Sequence, residues 1–77
     1  MYAQRQSHWV KTFRQARKDR NNWVVTDRYY TLTAARQIAS DIRHHRRVIG
    51  LHPDEQVEAE YFIGDIEGNY KIAVKML

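Results

Sequence analysis

"IRHHRRVIG", residues 42–50, sets two histidines among three arginines, and histidine is the side chain that most often binds metal or moves protons near neutral pH. The spacing argues against both. His44 and His45 are adjacent, so on a helix they project about 100° apart and do not close on one ion as an i, i+4 pair would. Arg43, Arg46 and Arg47 beside them repel a cation. The chain has no cysteine, which excludes thiolate catalysis, disulfides and cysteine zinc sites. No catalytic residue, metal or cofactor is expected, and the chain reads as a non-enzyme.

Arginine chemistry is the better reading of this segment. On a helical wheel Arg36, Ser40, Arg43 and Arg47 fall in a stripe about 60° wide. Guanidinium forks match phosphate and carboxylate. The row would span about 16 Å at 1.5 Å per residue, enough to follow a nucleic-acid backbone. An ordinary solvated helix face would carry the same charges. A second basic set, Lys11, Arg17 and Arg28, is interleaved with Phe13 and Tyr30, as in proteins that stack single-stranded nucleic acid. Those rings also suit a core packed under a helix.

The acids are concentrated elsewhere. Asp54, Glu55, Glu58, Glu60, Asp65 and Glu67 lie in a stretch without Lys or Arg. They alternate with apolar residues, as on the solvated face of a strand, and such an edge would also dock a basic partner. Residues 1–47 hold eleven bases and three acids, a balance of +8, whereas residues 48–77 hold two bases and six acids, a balance of −4. A split of this kind marks a basic surface for nucleic acid or an acidic partner, or two halves whose charges meet in the fold.

The elements that must position these residues are few. In "TLTAARQIASDIRHH" the residues Leu32, Ala35, Ile38, Ala39 and Ile42 recur at helical spacing. This predicts a helix over about 32–46, capped at its start by Thr31 or Thr33 and at its end by Gly50. The alanines predict close packing on a sheet. "WVVTDRYY" predicts a strand over Trp23–Tyr30. In "QVEAEYFIGDIEGNYKIAVKML" two alternating runs, Val57–Ile63 and Tyr70–Met76, flank the turn residues Glu67-Gly68-Asn69 and predict a hairpin. "HWVKTFRQARKDR" suits a strand or a helix burying Trp9, Phe13 and Ala16. An antiparallel match of Arg14 with Asp27 favours the strand. The expected fold is α+β, one domain over 1–77, in the order β-β-α-β-β with the first element open to a helical alternative.

At "YYTLTAARQIAS" the strand, the Thr-rich helix start and the helix with alanines four apart resemble the layout of small phage and mobile-element proteins, including anti-CRISPR inhibitors. That resemblance implies a non-enzymatic protein that occupies a surface on a larger host assembly, and it carries over no site residue. Two expectations stand together. One is a binding module that engages nucleic acid or nucleoprotein through Arg36, Arg43 and Arg47, with Lys11, Arg17 and Arg28. The other is a protein-directed inhibitor that uses the acidic hairpin. No run is long enough to span a bilayer and no signal peptide is apparent, so the expected location is the cytoplasm, with no membrane or small-molecule partner.

Overall fold

The computed structural model describes residues 2–46, 50–64 and 68–77. In chain order the elements are α1 (Tyr2–Lys18), β1 (Val24–Val25), α2 (Leu32–Arg43), β2 (Val57–Ile63) and β3 (Tyr70–Met76). The fold is α+β. The strands form an antiparallel sheet in the order β1-β3-β2.

The first element is therefore a helix, and the β-β-α-β-β order becomes α-β-α-β-β. The physical reason lies in where each period places the apolar residues. A strand over residues 8–20 would send Phe13 and Ala16 to opposite faces, whereas a helix gathers Trp9, Phe13 and Ala16 on one. Phe13 and Ala16 are both fully buried, and Trp9 packs against them. Arg17 and Lys18 in the last turn suit the negative pole of the helix dipole. Asn21, at φ +70°, then turns the chain. Its N–H donates to the Met76 carbonyl at 2.7 Å. The Arg14–Asp27 pairing does not form: Arg14 is exposed on α1, and Asp27 lies 3.6 Å from His8.

The expected strand Trp23–Tyr30 is also shorter than its composition implied. Val24 and Val25 pair with Val74 and Ala73, and the Thr26 N–H reaches Ile72 O at 2.9 Å. The chain then leaves the ladder, and its backbone next bonds the sheet at the Tyr30–Tyr70 bridge. The hairpin follows its alternation in full register, from Val57 opposite Met76 to Ile63 opposite Tyr70. Asp65 and Glu67 lie outside the described residues, as does most of the turn between the strands.

Both helices cover the same face of the sheet, α1 over β1 and β3, α2 over β2 and β3. Their buried sides meet in one cluster of Phe13, Ala16, Ala35, Ala39, Ile42, Ala59, Ile72, Val74 and Met76. The alanines bring α2 close to β2, as the small residues of its packing side predict. No helix among the described residues covers the opposite face of the sheet, which carries the exposed side chains of Trp23, Val25 and Phe62. There Lys75 sits 4.8 Å above the Trp23 ring and Lys71 sits 4.9 Å above Tyr29.

Candidate anion-binding groove

The groove is built on α2. Thr31 starts this helix by accepting the Ala34 N–H at 3.2 Å, a cap worth about 1 kcal/mol. It ends earlier than its charge pattern implied. His44 is the C-cap, His45 takes a left-handed φ of +57°, and the N–H groups of His45 and Arg46 bond Ile42 O and Asp41 O at 3.1 and 2.8 Å. This is a Schellman ending. Gly50, expected as the cap, instead lies against α1.

With Ala35, Ala39 and Ile42 facing the sheet, Arg36 and Arg43 emerge on the flank of α2 that overhangs β2. Together with Thr33, Gln37, Ser40 and Tyr61 they line a groove of about 480 Å³. No carboxylate is among these side chains. Arg43 donates from Nη1 to the Ala59 carbonyl at 3.0 Å, and Arg36 is exposed. Arg46 is held at the C-terminal end of α2, with Nη2 donating to Ser40 Oγ at 2.8 Å and Nε 3.3 Å from Asp41. Arg47, the third arginine of the stripe, lies outside the described residues.

The second basic set is dispersed. Lys11 lines a separate groove of about 340 Å³ beside β1, with His8, Thr26 and Asp27, at the opposite edge of the sheet from Arg36 and Arg43. Arg28 is exposed nearby. Burial first, and then the Arg28 charge, lower the pKa of His8, against a smaller upward pull from Asp27. Arg17 is committed to Glu55 through two hydrogen bonds of 2.7 and 2.6 Å and to the Gly50 carbonyl. Phe13 is in the core, so it is no stacking platform. Lys11, Phe13 and Arg17 belong to α1, so they share no sheet face with Arg28 and Tyr30.

The histidines of the opening segment are tied to backbone. His44 Nδ1 donates to Ser40 O at 2.8 Å, and His45 Nε2 donates to Glu55 O at 2.6 Å. Among the described residues no three His, Cys, Asp or Glu side chains group as a metal site, and no helix is long and apolar enough to cross a membrane.

Sequence reasoning missed Tyr61, which floors the groove from a strand distant in sequence. It also missed Arg14 and Lys18, which are exposed on α1 beside Lys11. The α1 helical period would have aligned those three opposite Trp9, Phe13 and Ala16. The class defined by fold and groove is thus a two-layer α+β domain with an arginine-lined edge. Beyond that class, no family model, curated protein or solved structure matches the chain.

Proposed function

We propose that this protein is a non-enzymatic binding module that takes the phosphate backbone of nucleic acid, free or within a nucleoprotein, in the groove between α2 and β2. One observation carries the reading: two arginines and a tyrosine line a groove to which no carboxylate contributes among the described residues. Guanidinium groups in such a setting favour a bidentate anion. Arg36 is the principal contact, Arg43 the second, and Arg47 continues the stripe in sequence. Lys11, Arg14, Lys18 and Arg28 add long-range attraction from the other edge of the sheet. Arg17 is excluded from the contact set, because its guanidinium is spent on Glu55. The compartment this reading implies is the cytoplasm.

The test is a gel-shift series against salt. Arg36→Ala should weaken binding to any sequence and lower the salt slope by about one unit, with the thermal midpoint unchanged. Equal affinity of the Arg36→Ala, Arg43→Ala double variant and the native chain would overturn the proposal.

A second reading, a phage-type inhibitor resembling anti-CRISPR proteins that blocks a host complex by protein contacts, is favoured by a different observation. Glu58 and Glu60 are exposed on edge strand β2 beside Phe62. On that reading Glu60→Lys abolishes capture of the host complex and Arg36→Ala does not.

A further inference from the structure

Strand β2 is an edge strand whose outer side has no partner strand among the described residues. The hydrogen bonds from Gly64 N–H to Asn69 O, 2.7 Å, and from Leu77 N–H to Gln56 O, 3.0 Å, mark the even-numbered residues of this arm as those bonded to β3. By antiparallel alternation the N–H and C=O groups of Val57, Ala59, Tyr61 and Ile63 point outward. The strand end that carries them is apolar. Tyr61, Phe62 and Ile63 are consecutive and are 38%, 41% and 59% exposed. Natural edges are usually blunted by charge, proline or cover. Here the acids guard only the first half, at Glu58 and Glu60.

We infer that β2 pairs antiparallel with β2 of a second copy about a two-fold axis at Tyr61. The register follows from charge and size. Only registers that oppose odd residues with odd residues use the outward groups. An axis at Glu60 would set Glu60 against itself, and an axis at Ala59 would set Glu58 against Glu60, both unfavourable cross-strand pairs. With the axis at Tyr61, Tyr61 meets Tyr61, small Ala59 meets large Ile63, and Glu60 meets Phe62. The Ala59 carbonyl, already accepting from Arg43, has a second lone pair for the Ile63 N–H of the second copy.

The pairing has a consequence for the groove, and this part rests on the proposed function. A two-fold axis normal to the sheet keeps both helix layers on one side. The two grooves then open into each other as one channel, walled by the two α2 helices, floored by the paired Tyr61 residues and lined by Arg36 and Arg43 from each copy. Each chain holds half of the site.

Light scattering should give twice the chain mass at high micromolar concentration, and Ile63→Lys, a change at an exposed position, should give a monomer whose melting curve matches that of the native chain diluted to monomer. The chain has no cysteine, so an introduced thiol reports only on its own position. Tyr61→Cys should oxidise to a disulfide-linked dimer, since directly opposed residues of a bonded pair have Cα atoms about 5.5 Å apart, within disulfide reach. Glu60→Cys should cross-link far more slowly. A native monomer, a dimeric Ile63→Lys variant or faster linkage at residue 60 would each overturn the inference. A dimer that fails to shift a DNA duplex or single strand would leave the pairing intact and sink the proposed function. A monomer whose DNA affinity depends on Arg36 would do the reverse.

Discussion

Arg17 and Glu55, 38 residues apart, grip each other through both guanidinium and carboxylate forks, Nε to Oε2 at 2.7 Å and Nη2 to Oε1 at 2.6 Å. The pair pins the last turn of α1 to the loop that enters β2. Its carboxylate also accepts the His52 N–H at 2.9 Å, while the Glu55 carbonyl accepts from His45. The Arg17 hydrogen bond is the main reason the Glu55 pKa falls to about 2; burial opposes it, and the His52 N–H adds a smaller downward pull.

A carboxylate with a depressed folded pKa contributes stability that is present above its unfolded pKa of 4.5 and is lost as pH falls toward about 2. Glu55→Gln should therefore lower stability by about 1.5–3 kcal/mol near neutral pH, the range for hydrogen bonds to charged groups. The gap between native and variant should close between pH 4.5 and about 2. Urea midpoints across that window check it, and a gap independent of pH would show that the pair adds nothing as an ion pair.

Thr26 is 1% exposed, and its hydroxyl has no hydrogen-bond partner among the described residues. A buried hydroxyl left unbonded costs about 1–3 kcal/mol. Thr26→Val keeps the shape and removes the oxygen, so it should hold or raise the urea midpoint. A clear loss of stability would mean that the hydroxyl is bonded in solution.

Gly50 has φ +88°, and a Cβ there would lie 3.2 Å from the Val10 Cα of α1. The nearest atom is helix backbone, with Val10 Cγ2 at 3.3 Å beside it, so relief requires α1 itself to shift. Gly50→Ala should cost more than the about 1–2 kcal/mol of left-handed strain alone. Gly68→Ala has a similar φ of +91° but open space around it, and should cost only that strain. Thermal melts of the two variants test the ordering.

Phe13 is the largest of the fully buried side chains, in a chain short enough that its core supplies only about 3–5 kcal/mol. Phe13→Ala should cost about 3–5 kcal/mol and leave the chain largely unfolded at room temperature by circular dichroism. Retention of a cooperative melt would contradict the placement of α1 on the sheet.

The parts of this fold legible in the sequence are those whose determinants are local. The hairpin register follows from period-two alternation, and the start of α2 from Thr31 and the alanine spacing. Arg36 and Arg43 were legible as neighbours because a wheel needs only the helix. Tyr61 beneath them was not, since no local rule says which strand a helix overhangs. Residues 8–18 misled because Trp9 and Phe13, four apart, share a face in both a strand and a helix, and only Ala16 separates the two. Arg17 read as a free base because its partner is distant in the chain. Trp23–Tyr30 has the composition of a strand, yet at the sheet edge only Val24 and Val25 hold a ladder.

The strand order β1-β3-β2 also governs when the chain can fold. Neither β1 nor β2 bonds the other, and both take their partners from residues 70–76. During synthesis the earlier segments therefore have helical propensity but no sheet to pack on until β3 has left the ribosome. Closure then joins Val24 to Val74 and Asn21 to Met76, contacts of long sequence separation that slow the search. Until that last arm inserts between them, two strands that each need the same neighbour stay unpaired, so closure of the sheet waits for residues 70–76.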